Sequence, residues 1–180
     1  MSFSFTHPYI INPDFQKRVA YFCMEFGIHQ PLKTYAGGLG FLAGSHMRSA
    51  YELQQNIVGI GILWKYGYYD QVRKQDQAMD VLFQEKVYGF LKKTDIKFTI
   101  RISGHEVFVT AYYLPPQVFQ TAPVFFSVLM FRKMITWQKP SVTNYMILIL
   151  KQKLLPPFCW VMVGQDAGEN KLAARCISPE

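Results

Sequence analysis

Two short apolar runs enclose a glycine cluster, and this arrangement constrains the fold more than any other feature of the sequence. The runs are Arg18 to Phe26 and Asn56 to Trp64. Each has the length and the continuous hydrophobicity of a strand buried in a parallel sheet. Between them, Phe41 to Leu53 has helix-forming composition with apolar residues three to five positions apart, although Gly44 weakens it. Together these segments predict a βαβ unit, for which a right-handed crossover is expected.

The glycine cluster, Gly37, Gly38 and Gly40, comes immediately before the predicted helix. Backbone N–H groups at a helix N-terminus can point at an anion, and side chains there would block the approach of a phosphate. Gly38 to Ala43 also fits a loose G-x-G-x-x-A dinucleotide pattern. The fit is weak, because ten residues separate the strand from the glycines and no acidic residue ends the next strand. The spacing alone leaves an anion-binding loop and a tight turn without ligand as equal alternatives.

Other candidate site residues also have two interpretations each. Glu25, at the end of the first strand, is either a ligand-facing carboxylate or a partner for a nearby backbone N–H. The aromatic run Tyr66 to Tyr69 either stacks on a sugar or packs beside a turn. The four histidines share no metal-ligand spacing, so no metal site is predicted.

A second supersecondary unit follows the polar stretch after Trp64. Lys97 to Ile102 alternates apolar with polar residues, and Glu106 to Tyr113 continues as a strand after Ser103-Gly104-His105. This pattern predicts a β-hairpin with a short glycine turn.

Length and composition favour one folded domain, since the chain has 180 residues and half of them are hydrophobic. The three cysteines are widely spaced and match neither a disulfide framework nor a zinc motif. This usage is what we expect of a protein in the reducing cytoplasm. The first residues do not resemble a signal peptide. The longest uncharged run, Val107 to Phe131, contains three prolines, so no membrane partner is predicted.

The net charge of +7 is unevenly distributed along the chain. Residues 1–126 hold 12 basic and 9 acidic residues, a net charge of +3, whereas residues 127–180 hold 7 and 3, a net charge of +4. A non-catalytic basic protein that binds nucleic acid would need a basic face interleaved with exposed aromatic residues. The excess positive charge of this chain comes mainly from the shorter segment, residues 127–180, so we expect no nucleic-acid partner.

Four motifs in the first two thirds of the chain together resemble one enzyme family. They are Val19 to Gly27 (VAYFCMEFG), Tyr35 to Gly44 (YAGGLGFLAG), Gly59 to Leu63 (GIGIL) and Tyr66 to Gln71 (YGYYDQ). In this order they look like the start of the shorter, bacterial-type α-glucan phosphorylases, which act on glycogen or maltodextrin. The resemblance runs from about Arg18 to about Phe125.

The resemblance implies an α/β fold, namely an incomplete N-terminal Rossmann-like domain of a GT-B glycosyltransferase. The family transfers a terminal α-1,4-linked glucose to inorganic phosphate with retention, which gives glucose 1-phosphate. Its cofactor is pyridoxal phosphate, used through its phosphate group. By this likeness Gly37 and Gly38, with Leu39 and Gly40, would face the phosphate and sugar and bind them through backbone N–H groups.

The resemblance also implies which parts of the site are missing. Three parts of the family's site lie downstream of the position that corresponds to Phe125. They are the lysine that carries the cofactor, the basic residues that bind the substrate phosphate and the active-site histidine. No complete catalytic set is therefore expected in this chain, and we expect it to be inactive. A nucleotide-sugar glycosyltransferase of the glycogen-synthase type is the alternative in the same fold. Tyr35-Ala36 stands before the paired glycines where that family has Lys-Thr.

The likeness ends abruptly near Phe126, and no acidic residue occurs between Glu106 and Asp166. Lys133 to Gln138 can be spelled AAA ATG ATT ACC TGG CAA, and dropping two nucleotides gives codons for Asn-Asp-Tyr-Leu-Ala. The same offset restores acidic residues within Tyr145 to Leu150. We therefore interpret residues 1–126 as a partial domain and residues 127–180 as a tail translated out of frame. A natural, divergent C-terminus is the alternative.

Overall fold

The fold is known from a computed structural model, which describes residues 3–64, 66, 70–102, 105–131, 159–165 and 172–177. Its described elements are a 3-10 turn Pro13–Phe15, β1 Val19–Phe22, α1 Gly38–Glu52, β2 Ile57–Ile62, β3 Asp70–Arg73, β4 Met79–Leu82, β5 Lys92–Ile102, β6 His105–Leu114, α2 Pro116–Phe119, β7 Val124–Phe131, β8 Cys159–Gln165 and β9 Leu172–Ile177. Neither described α-helix is long and apolar enough to cross a membrane.

The predicted βαβ unit is confirmed. β1 and β2 are adjacent and parallel, with Val19 opposite Ile57, and α1 lies between them in the chain. All six residues of β2 are buried, as expected for a strand covered on both faces. α1 begins at Gly38, three residues before the predicted start at Phe41. Gly38 to Gly40 therefore form the first turn of the helix and are not a separate loop before it.

The βαβ unit belongs to a seven-stranded sheet with the order β5-β6-β7-β2-β1-β8-β9. β7 runs parallel to β2 and β8 runs parallel to β1, so the carboxyl ends of these four strands lie at one edge. β5 and β6 form the predicted hairpin beside β7, although β5 begins at Lys92 and not at Lys97. The mixed sheet agrees with the predicted α/β class.

The boundary predicted between residues 126 and 127 falls inside β7, which continues to Phe131. β8 and β9 lie in the segment interpreted as out of frame, and they pair with each other in antiparallel fashion. Residues 132–158, 166–171 and 178–180 lie outside the described residues. The origin of the tail stays a prediction, because strand pairing does not report a reading frame.

Two apolar clusters pack on the central strands. The cluster on the α1 side includes the fully buried side chains of Phe26, Met47 and Phe126. In the second cluster, Phe3 and Phe5 pack against buried residues that include Phe22, Tyr113 and Phe125. The ring of Phe5 lies 5.2 Å from that of Phe125 in an edge-on contact. The N-terminal segment therefore contributes to the core.

Gly44 allows α1 to approach the loop that follows β1. A Cβ atom at position 44 would lie 2.3 Å from the carbonyl oxygen of Gly27, which is too close for any side chain. The N–H of Gly27 also donates to the carbonyl oxygen of Gly40 at 2.7 Å. Glycine lowers helix propensity at position 44, but close packing requires it there.

Candidate functional site

The N-terminus of α1 lies in the connection that leaves the carboxyl end of β1. β1 has β2 on one side and β8 on the other, and the chain goes from β1 to β2 through α1. In open α/β sheets, ligands bind outside the carboxyl ends of strands where the strand order reverses. The first turn of α1 is therefore the candidate site, and it begins at the predicted residues Gly37 and Gly38.

The structure divides the glycine cluster into two kinds of position. Gly37 is the N-cap of α1 in extended conformation and Gly38 is its first residue, and a Cβ at either would meet nothing within 4 Å. A Cβ at Gly40 would lie 2.4 Å from the Cβ of Tyr35. Gly37 and Gly38 thus leave open space in front of the helix, whereas Gly40 serves packing.

Glu25 occupies the approach to this helix N-terminus. Its Oε2 accepts hydrogen bonds from the N–H groups of Ala36, at 3.2 Å, and Gly37, at 3.4 Å. Of the two interpretations of Glu25, the structure shows the second, in which its carboxylate accepts hydrogen bonds from nearby backbone N–H groups. An anion binding here would either displace the carboxylate or use the N–H groups of Gly38 and Leu39. These two groups belong to the first helical turn, which has no intrahelical acceptors for them.

A polar network holds the segment that leads into the glycines. The N–H of Lys33 donates to the hydroxyl of Tyr88 at 3.1 Å, and the Nζ of Lys33 lies 3.9 Å from Asp70. Lys86 forms an ion pair with the same carboxylate. The hydrogen bond from Lys86 is the main reason that the pKa of Asp70 is lowered. Sequence reasoning missed this network, because its members are distant in the chain and form no motif.

The remaining candidate residues do not converge on this site. Tyr66 is half exposed, while Gly67, Tyr68 and Tyr69 lie outside the described residues. The ring of His29 stacks on Phe119 at 4.5 Å, and that of His46 lies 4.8 Å from Tyr21. The described part of the chain contains no group of three His, Cys, Asp or Glu side chains suited to a metal ion.

Comparison with known proteins gives partial matches, and no family model matches the chain. A segment of 110 residues is 56% identical to an uncharacterised protein of Methanocaldococcus jannaschii and covers 61% of this chain and 21% of that protein. A segment of 73 residues is 41% identical to maltodextrin phosphorylase of Thermococcus litoralis, covering 41% of this chain and 9% of that enzyme. A segment of 84 residues is 37% identical to glycogen phosphorylase of Aquifex aeolicus, covering 45% and 12%.

The chain therefore spans about a fifth of the length of the first of these relatives and less of the other two. Segments of the chain are similar to α-glucan phosphorylases, and the similarity is limited to a part of each enzyme.

Proposed function

We propose that this chain is part of the N-terminal, Rossmann-like domain of a GT-B α-glucan phosphorylase. The complete enzyme would transfer a terminal glucose from an α-1,4-glucan, such as glycogen or maltodextrin, to inorganic phosphate with retention. Partial similarity to maltodextrin and glycogen phosphorylases and the parallel βαβ unit support this proposal. A cytoplasmic location is part of the same proposal, because phosphate and the glucan store would be found there.

The open space in front of Gly37 and Gly38 is the observation that carries the proposal. Two N–H groups at the start of a 15-residue helix can hold a phosphate oxygen or a sugar hydroxyl, and the helix dipole favours negative charge at this point. Donors fixed by a helix need no reorganisation when charge develops during the reaction. Glu25 would then keep the loop ordered while the site is empty, since it bonds the N–H groups of Ala36 and Gly37.

Pyridoxal phosphate is proposed to be held outside this chain. Covalent attachment of the cofactor needs a lysine amine that is free to react with its aldehyde. Lys86 has a side chain that is 12% exposed, but it is paired with Asp70 and lines a cavity away from the glycines. Lys86 is therefore unsuited to covalent attachment of the cofactor, and the role proposed for this chain is limited to binding phosphate and sugar.

Assays of the purified chain test the proposal. The 180-residue chain is expected to release no glucose 1-phosphate from maltodextrin and to form no Schiff base with pyridoxal phosphate. Inorganic phosphate is expected to slow hydrogen exchange in residues 36–42, measured by mass spectrometry. Release of glucose 1-phosphate above a blank would show that the chain is active alone. Equal exchange in residues 36–42 with and without phosphate would show that the proposed anion site does not bind phosphate.

A further inference from the structure

Thr34 places a buried hydroxyl group in the connection between β1 and α1, where its side chain is 1% exposed. The Oγ1 of Thr34 donates a hydrogen bond to the carbonyl oxygen of Phe26 at 3.0 Å. In return, the N–H of Phe26 donates to the carbonyl oxygen of Thr34 at 3.3 Å. Two hydrogen bonds therefore join these residues and close the loop of residues 27–33. Burial of a hydroxyl group is unfavourable without such a partner, so the side chain is held in this position.

Phe26 is a rigid anchor for this pair of hydrogen bonds. Its side chain is fully buried, and its ring lies over β2 where the strand has glycines. A Cβ atom at Gly61 would lie 2.9 Å from the ring, and one at Gly59 would lie 3.3 Å from it. On another side the ring makes an edge-on contact with Phe126 at 5.9 Å. The carbonyl group that accepts from the hydroxyl of Thr34 is therefore fixed to the central sheet.

The bridge between Thr34 and Phe26 brings Glu25 next to the start of α1. Glu25 directly precedes Phe26, and Ala36 lies two residues after Thr34. The Oε2 of Glu25 accepts hydrogen bonds from the N–H groups of Ala36 and Gly37, at 3.2 and 3.4 Å. Both bonds are exposed and long for N–H···O bonds, so they are weak by themselves. The order of residues 35–37 therefore depends on the buried bridge beside them.

We propose that Thr34 is a positioning residue for the start of α1, whose hydroxyl group fixes residues 35–37 and thereby the direction of the first N–H groups of the helix. Gly37 is the N-cap of α1, so its conformation determines where the N–H groups of Gly38 and Leu39 point. Donors that are ordered before a ligand arrives need not be ordered during binding, which increases affinity. The effect on phosphate rests on the proposed function, whereas the ordering of residues 35–37 does not.

Hydrogen exchange of the full chain, first without ligand and then with inorganic phosphate, tests this role. Thr34→Val retains the shape of the side chain and removes the hydroxyl donor. Exchange in residues 35–37 of the ligand-free variant should become roughly tenfold faster, because local opening requires less free energy. The dissociation constant for phosphate, measured by protection of residues 36–42, should rise severalfold. Thr34→Ser retains the hydroxyl group and should restore most of both properties.

Thr94→Val is the matched control. Thr94 is also buried, and its Oγ1 also donates to a backbone carbonyl oxygen, that of Ala111, at 2.8 Å. Thr94 lies on β5, which is separated from β1 by three strands of the sheet. Both valine variants should unfold at lower urea concentration than the parent. Thr94→Val should nevertheless keep the parent's exchange in residues 35–37 and its affinity for phosphate.

Unchanged ligand-free exchange of residues 35–37 in a folded Thr34→Val variant would overturn the proposal. Equal acceleration of this exchange in Thr94→Val would also overturn it, because the effect would then come from a general loss of stability. Thr34→Ala is the second variant if Thr34→Val does not fold, and the same acceleration is expected of it. Absence of phosphate protection in the parent contradicts the proposed function, while the ligand-free exchange of the variants still decides the role of Thr34.

Discussion

At the scale of single residues, Gly38 and Gly40 lie in the same helical turn but have different surroundings. A Cβ at Gly38 would meet open space, whereas at Gly40 it would meet the Cβ of Tyr35 at 2.4 Å. Gly38→Ala should therefore fold with unchanged stability, within about 0.5 kcal/mol, but its methyl group should hinder phosphate and weaken binding severalfold. The measurements are urea unfolding and protection of residues 36–42 by phosphate.

Gly40→Ala is the matched comparison for this prediction. It should destabilise the chain by about 1–3 kcal/mol, because Tyr35 or the helix must move to admit the methyl group. If Gly38→Ala binds phosphate as tightly as the parent does, Gly38 is not the ligand-facing position. If Gly40→Ala proves as stable as the parent, the division of the cluster into open and packed glycines is wrong.

We expect the protein to lose stability in mild acid because of two histidines. Burial lowers the pKa of His46 from the usual value of 6.5. Burial also lowers the pKa of His7, and this effect outweighs a hydrogen bond with Asn56 that acts in the opposite direction. The Nδ1 atom of His7 is also buried without a hydrogen-bond partner. Below pH 6.5 the unfolded chain binds protons that the folded chain does not, so the free energy of unfolding should decrease as the pH falls.

Urea unfolding between pH 7.5 and pH 5 checks this effect in the parent and in a His7→Gln, His46→Gln double variant. The double variant should lose less stability over this range than the parent does. An equal loss in both proteins would mean that other groups cause the pH dependence.

The sequence predicted the positions of some residues of the candidate site and not of others, for identifiable reasons. Gly37 and Gly38 could be placed near the N-terminus of the helix because the glycine cluster directly precedes a segment of helix-forming composition, although the helix begins three residues earlier than predicted. Glu25 remained ambiguous, because its bond to Gly37 joins residues that are 12 positions apart. The packing role of Gly40 and the pairing of Asp70 with Lys86 depend on tertiary contacts that no local pattern encodes.

At the scale of elements, α1 depends on its contact with the loop after β1. Gly44→Ala improves intrinsic helix propensity by about 1 kcal/mol, but its Cβ would lie 2.3 Å from the carbonyl oxygen of Gly27. We expect the clash to prevail, with net destabilisation of about 1–3 kcal/mol in urea unfolding. Ser45→Ala, at the adjacent exposed position, is the control and should be near neutral. A more stable Gly44→Ala protein would contradict the packing described for α1.

The elements with strong apolar patterns were predicted, and those without were missed. β1, β2 and the β5–β6 hairpin follow the expected runs. β3 and β4 pair with each other in the segment that follows Trp64, for which the sequence predicted no strand. Three of the four residues in each of these strands are exposed, so burial imposes no alternating pattern on them.

At the scale of the whole molecule, the interpretation of residues 127–180 has a direct genetic test. Sequencing the locus around codons 120 to 180 should show an open alternative frame that resumes phosphorylase-like coding near codon 127. β7 begins at Val124, before the proposed shift, and pairs with β2 through residues on both sides of it. A single open frame through codon 180, with no coding continuation in either other frame, would identify the tail as a natural C-terminus.

The proposed assignment of this chain to an enzyme that cleaves α-1,4-glucans with phosphate is open to experiment. Its most direct test is glucose 1-phosphate release by the protein encoded when the reading frame is restored, supplied with pyridoxal phosphate, maltodextrin and inorganic phosphate. We expect release that requires both substrates, and a raised KM for phosphate in Gly38→Ala. A folded, frame-restored protein that releases no glucose 1-phosphate, or that instead transfers glucose from a nucleotide sugar, would contradict it.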